Sequence, residues 1–417
     1  VEETGIAPII TGRQVTINVA NNHNTILMNL VGVEDLPYNA YSQATEVIND
    51  IEISLVLDVS GSMGRNNKLT LLQGAAKKFV SKVLAGADGR VSLSLVPYST
   101  QVSVGEDLFD QMSTNSWHDY SHCVHFSDSD FEKTGAPTTA MAQSAHFDAF
   151  TWWNEGRSPN RPVCGTKSYY HIQPWTNNIT DLHDQIELFE ADGNTSIDVA
   201  MKWGTMLVDS STRDEHVALI AAQTDRDSTF SERPYDYTRE NTLKFVILMT
   251  DGINTKQYRM RSAYKTGVSP VWRHVSDAGR FAEYDANRGE YFLNGDWDDD
   301  STSDTYQWAA TLPGNPSDDW VNMSWPETWA SMTQAWRAYH LHYARAWDAS
   351  KYWDAYEDVN WFKWGSSKNT YLDKICTKAR EKNIVVITIG FEVTDSSAAI
   401  MEKCAYTDND FHRVDGP

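Results

Sequence analysis

Residues 55–64 read LVLDVSGSMG, and no other stretch restricts the fold as much. Ile53 to Leu57 is a short apolar run rich in branched side chains, the pattern of a strand covered on both faces. The run stops on Asp58, and a carboxylate there points to a ligand site, because open α/β sheets collect ligands at the carboxyl ends of their strands. The D-x-S-x-S alternation lets the loop curl so that Asp58, Ser60 and Ser62 all face inward, while Gly61 and Gly64 relieve steric crowding.

The rest of the chain supplies a sheet around that strand. Leu69, Leu72, Ala76, Phe79, Val80 and Val83 fall at steps of three and four with Lys77, Lys78 and Lys82 between them, which predicts a helix. Val91, Leu93 and Leu95 alternate with serines, a second strand. Ile197, Ala200, Met201, Gly204 and Val208 predict a helix over 196–208. Phe245 to Met249 is another buried strand, and it too ends in a carboxylate and a glycine, Asp251-Gly252. A helix through Leu372, Ile375, Cys376 and Ala379, a strand from Ile384 to Ile389, a helix near 396–405 and the run Phe411–Val414 complete the series. Strand–helix alternation with continuous apolar strands predicts an α/β fold: a mostly parallel central sheet with helices on both faces.

Two further features set the organisation. Residues 1–48 read as a β-rich lead-in: Val15, Ile17 and Val19 alternate with polar residues, Asn21-Asn22-His23-Asn24 is turn-like, and Ile26 to Val33 is apolar again. The main domain, 49–417, is interrupted at about 100–190 and 253–368 by stretches too long for ordinary loops, so both are expected to be folded insertions.

Three segments converge on the expected rim. Asp58, Ser60 and Ser62 sit at one strand end and Asp251 at another, while Asp192-Gly193-Asn194-Thr195 opens the helix that carries Met201. Oxygen-only ligands suit a hard divalent cation, Mg²⁺, Ca²⁺ or Mn²⁺, rather than zinc. Two anionic ligands leave the ion Lewis-acidic and in want of one more carboxylate, which a protein partner's Asp or Glu can supply. The net charge of −22 argues against a nucleic-acid backbone or an anionic membrane surface as partner. Simple solubility accounts for most of those carboxylates.

"DVSGSM" with downstream "GNTS" and "MTDG" resembles the von Willebrand factor type A domain and its metal-ion-dependent adhesion site. That resemblance implies Asp58, Ser60, Ser62, Thr195 and Asp251 as metal ligands, with Asp198 close enough to support them from behind or else an exposed helix residue. "IEISLVLDVSGSM", "TSIDVAMKWG" and the pair "LDKIC…ITIGF…MEKCA" are similar to TadG-like proteins of bacterial tight-adherence (Flp) pilus assembly systems. This implies a bacterial, extracytoplasmic, non-enzymatic adhesion module in the periplasm, outer membrane or cell surface, with pilus or envelope components as partners. Members of that family usually begin with a membrane-spanning helix; this sequence begins at Val1, which fits removal of a leader or anchor. The alternatives are a structural envelope component whose insertions make the contacts, and a glycan-binding or glycan-acting protein.

Catalytic signatures are lacking: the sequence contains no G-x-S-x-G elbow, P-loop, H-E-x-x-H or Rossmann fingerprint. Four cysteines form two sequence-local couples without C-x-x-C spacing. Disulfides Cys123–Cys164 and Cys376–Cys404 would suit an oxidising compartment, with four buried thiols the alternative. The second insertion holds 11 of the 16 tryptophans. There Trp329, Met332, Trp336, Tyr339, Tyr343 and Trp347 follow helical spacing, with Pro326 near the start, and read first as an aromatic core and second as a surface for sugar or protein. Asn294, Asp296, Asp298, Asp299 and Asp300 read as a solvated acidic loop, lacking the glycine and terminal glutamate of an EF-hand. His118, Asp119, His122 and His125 have spacings compatible with a transition metal, although scattered loop histidines are commoner.

Overall fold

The Ile53–Leu57 run becomes the middle of a strand, Asp50–Asp58, buried from Ile53 onward. A computed structural model describes residues 2–9, 12–24, 35–47, 50–153, 156–223, 228–295 and 305–414. The central sheet has six strands in the order Phe411–Val414, Val385–Phe391, Thr242–Thr250, Asp50–Asp58, Val91–Tyr98 and Gln173–Thr176. Thr242–Thr250 runs parallel to Val385–Phe391, with Phe245 opposite Val385 and Thr250 opposite Gly390, and Phe411–Val414 continues the parallel set. Gln173–Thr176 closes the other edge antiparallel. It lies inside the 100–190 stretch, too short at four residues to give a period, so part of that stretch belongs to the sheet itself.

Burial explains why the strands read as they do. All eight residues of Val91–Tyr98 are buried, including the serines that alternate with its aliphatics, so both faces are covered. The helix Ile197–Met206 is buried at every position. It lies so close to the sheet that a Cβ on Gly204 would come within 2.8 Å of Val56 Cγ2 and 3.0 Å of Val246 Cγ1. The helix Lys68–Leu84 buries Leu72, Ala76, Val80 and Leu84, one every turn, and leaves Lys78 and Lys82 outside.

The chain divides into two compact units, Val1–Ile51 with Thr238–Leu243, and the remainder. The first contains a three-stranded antiparallel sheet of Glu2–Ile9, Gly12–Asn24 and Asp35–Val47. Asn21 to Asn24, expected as a turn, continue the second strand, paired with Tyr38 to Asp35. Ladder hydrogen bonds to a partner strand override the local turn preference of asparagine. Ile26 to Val33 lie outside the described residues.

The second insertion folds around an antiparallel sheet in the order Thr305–Ala309, Glu290–Gly295, Phe281–Asp285, Val268–His274 and Trp320–Ser324. Its aromatic run is two helices rather than one, Trp325–Ser331 and Gln334–Leu341. The break falls at Met332-Thr333, where the Thr333 hydroxyl accepts the Trp336 N–H and caps a new helix. Trp329, Met332 and Trp336 are buried, as an aromatic core requires, but Trp347 is 62% exposed. Within that core Glu283 contacts Arg337 (2.9 Å), His342 (3.0 Å) and Arg345 (3.1 Å). Asp296 to Asp300 lie outside the described residues.

Disulfides join Cys123 to Cys164 and Cys376 to Cys404. The second ties the helix Gly365–Glu381 to the helix Asp395–Cys404. Non-reducing peptide mass mapping is expected to recover both linked pairs, and reduction to cost roughly 2–5 kcal/mol of stability. Free thiols at all four positions would contradict the pairing. No described helix is long and apolar enough to cross a membrane.

Candidate functional site

Hydrogen bonds between loops place three segments on one rim of the sheet. Val59 N–H donates to Tyr98 O at 2.9 Å, so the first two strands end side by side. Asp192 N–H donates to Val59 O and Gly61 N–H to Gly193 O, both at 3.0 Å, which brings the 192–195 loop against the D-x-S-x-S loop. The approach needs glycine on both sides: a Cβ on Gly61 would meet Gly193 O at 3.2 Å, and Gly193 itself has φ +78°. Thr195 enters from this loop and is nearly buried, its N–H donating to Thr255 Oγ1 and its carbonyl accepting the Thr255 N–H.

Asp58 is fully buried, with one carboxylate oxygen accepting the Ser60 N–H (2.8 Å) and the other the Thr250 hydroxyl (2.6 Å). The Ser60 and Ser62 hydroxyls lie 3.2 Å apart. Asp251 is close enough for its charge to act on Asp58. Burial first, then that like charge, push the Asp58 carboxyl up to about 6, against the hydrogen bonds from Thr250 and Ser60. The Tyr98 phenol, buried beside both acids, rises further above its ordinary value, mainly through burial and then through Asp58. Lys68 Nζ stands 3.2 Å from Asp251 Oδ2.

Behind the rim lies a buried lysine. Lys368 Nζ donates to Thr195 O (2.6 Å), Ser196 Oγ (2.7 Å) and Thr255 O (2.9 Å), and stands 3.9 Å from Asp198. Burial lowers Lys368 to about 8 in spite of Asp198. Asp198 is thus buried rather than exposed, and its own carboxyl is raised by burial against the pull of Lys368. Asp198 bears on the rim through Lys368, as the charge behind the lysine that fixes the Thr195 loop.

The donor set fits a hard cation. Two carboxylates in one buried neighbourhood repel each other, and the hydroxyls of Ser60 and Thr250 lie beside them. Among the described residues no group of three or more His, Cys, Asp and Glu is placed to hold a metal; the rim instead combines two carboxylates with hydroxyls. The sequence pattern misses Thr250, Lys68 and Lys368. Thr250 precedes Asp251 directly and a hydroxyl beside a strand-end acid is a usable signal, whereas a single lysine deep in a helix pattern carries none.

The histidine stretch of the first insertion does not converge. His118 Nε2 meets Ser144 O at 2.9 Å, His122 packs edge-on against Phe109, and His125 Nδ1 faces Gln101. Four exposed tryptophans gather elsewhere: Trp152, Trp353, Trp361 and Trp364 line a cavity of about 580 Å³ with Lys256. Asn194 Nδ2 donates to the Lys256 carbonyl (2.6 Å), so this cavity adjoins the rim.

No protein-family model and no curated protein sequence matches the chain. Solved structures similar to it include the vWF domain of the type V pili tip protein Mfa5 from Porphyromonas gingivalis, 12% identical with a TM-score of 0.36, over 89% of this chain and 91% of that one. The adhesive tip pilin GBS104 from Group B Streptococcus agalactiae is 12% identical with a TM-score of 0.33, over 87% of this chain and 94% of that one. The pilus adhesin RrgA from Streptococcus pneumoniae is 13% identical with a TM-score of 0.34, over 97% of this chain but 45% of that one. On its own topology this chain is an α/β protein with a mostly parallel six-stranded central sheet and smaller accessory sheets.

Proposed function

We propose that this chain is a non-enzymatic, extracytoplasmic binding module whose rim holds a divalent cation, Mg²⁺, Ca²⁺ or Mn²⁺. Asp58, Ser60, Ser62, Thr195 and Asp251 are its ligands in this reading. The bound ion supplies a Lewis-acidic position for the carboxylate of a partner's Asp or Glu. Ser60 N–H and the Thr250 hydroxyl fix the orientation of Asp58, Lys368 fixes the Thr195 loop, and Lys68 pairs with Asp251. The observation that carries the reading is the buried Asp58 carboxylate, within electrostatic reach of Asp251 and beside the Ser60 and Ser62 hydroxyls, which lie 3.2 Å apart.

In this reading the module works in pilus assembly or surface attachment, the setting that its resemblance to TadG-like proteins implies, and the two disulfides suit an oxidising compartment. The test is capture of a partner from the native cell envelope. Capture is expected with Mg²⁺ present, lost with a chelator and restored by added Mg²⁺. Capture that persists unchanged in chelator would contradict metal-dependent binding.

A further inference from the structure

A second cluster of charge holds cations that no carboxylate touches directly. The strands Gln257–Met260 and Asn360–Lys363 form an antiparallel ribbon, and a cavity of about 320 Å³ beside it is lined in part by His125, Ser127, Asp130, Arg259, Lys265 and Trp361. Arg259 uses Nε on Gln257 Oε1 at 3.1 Å and sets its guanidinium 5.8 Å from the Trp361 ring. Lys265 stands 5.7 Å over the Trp117 ring. Neither cation has a carboxylate within ion-pair distance among the described residues, while Asp198 and Asp128 lie within electrostatic reach of Arg259. Lys265 is held below its ordinary value by burial and then by Arg259.

The third basic group is a neutral donor. The Gln101 amide faces His125 Nδ1 at 3.4 Å while its oxygen accepts from Gln257 Nε2. This orientation makes the amide the donor and leaves the imidazole proton on Nε2, which is buried without a hydrogen-bond partner. Burial first, then Arg259, Lys265 and Lys363, hold His125 well below the usual histidine value. Asp130, the carboxylate in the lining, is engaged by the Ser127 N–H and hydroxyl, both at 2.7 Å. Neighbouring Asp128 is engaged by Lys363. In a chain of net charge −22, a cavity lined by two cations without a direct ion pair and by a histidine whose N–H is buried without a hydrogen-bond partner suits an anion from outside.

We propose that this cavity binds an oxyanion, a carboxylate, sulfate or phosphate group on a small ring or short chain, held by Arg259, Lys265 and His125 Nε2 with Trp361 against its apolar part. A guanidinium and an ammonium lining one cavity match the lone pairs of such a group, and the volume admits a ligand of about monosaccharide size.

Calorimetric titration of the full chain with sulfate, phosphate, glucuronate and glucose tests the proposal, run at low ionic strength and in chelator so that the rim does not contribute. At least one anion is expected to bind saturably and glucose not to bind. Arg259→Gln and Lys265→Gln are each expected to weaken that binding about tenfold or more, with near-ultraviolet circular dichroism showing the fold retained. Binding of glucuronate alone identifies a carboxylated sugar, and binding of sulfate or phosphate a tetrahedral anion. No saturable binding of any anion, glucose binding as tightly as glucuronate, or wild-type affinity in both folded variants would overturn it.

Discussion

Asp58→Ala is expected to abolish divalent-cation binding, weakening the calorimetric affinity for Mg²⁺, Ca²⁺ and Mn²⁺ by more than about 100-fold. Asp58 is the acid to which the rest of the rim is built: Ser60 N–H and Thr250 Oγ1 both donate to it, and Asp251 lies within electrostatic reach. Its removal should cost the metal-free protein little, because burial and Asp251 already disfavour its charge. Lost binding with retained circular dichroism therefore reports on the site. Thr250→Val keeps the carboxylate but removes the hydroxyl that orients it, and a loss of roughly 10–100-fold is expected. Equal affinity in wild type and Asp58→Ala would end the metal assignment.

Glu283→Gln is expected to destabilise the chain by roughly 3–5 kcal/mol at neutral pH, the usual cost of stranding buried cations. Glu283 and Arg337 are both nearly buried, and Arg345 also leans on Glu283 while keeping Asp285. Burial alone would raise the Glu283 carboxyl, but Arg337, His342 and Arg345 outweigh it and hold the group far below 4.5. A depressed acid stabilises the fold above its unfolded value and loses that contribution as pH falls through the folded one. Wild type should therefore weaken steadily below about pH 4.5, while Glu283→Gln, already weakened, should lose less over the same window. Urea unfolding followed by tryptophan fluorescence measures both. A variant within about 1 kcal/mol of wild type would show that the cluster does not hold the insertion together.

How much of this was legible in the sequence depended on the kind of signal. The central strands and helices stand out because burial on both faces leaves an apolar run, as in Ile53–Leu57, or a helical period, as in Leu72, Ala76 and Val80. Gln173–Thr176 carries no such signal, because a four-residue edge strand is too short for a period. The aromatic run from Trp329 to Trp347 keeps helical spacing across a real break, and only the capping hydroxyl of Thr333 marks it. Asp58, Ser60 and Ser62 are readable as a site because the chemistry is concentrated in five residues at one strand end. Lys368 is not, since it lies 173 residues from the Thr195 carbonyl that it holds and only folding brings them together. The Arg259–Lys265 pair is illegible for a related reason: only folding sets the two cations around one cavity.

Anomalous diffraction from crystals grown with Mn²⁺ tests the central claim most directly. The account predicts a single strong peak at the rim, within direct coordination distance of Ser60 and Ser62 and enclosed by Asp58, Thr195 and Asp251. A rim without a peak at saturating Mn²⁺, or a peak ligated by none of these residues, would contradict it.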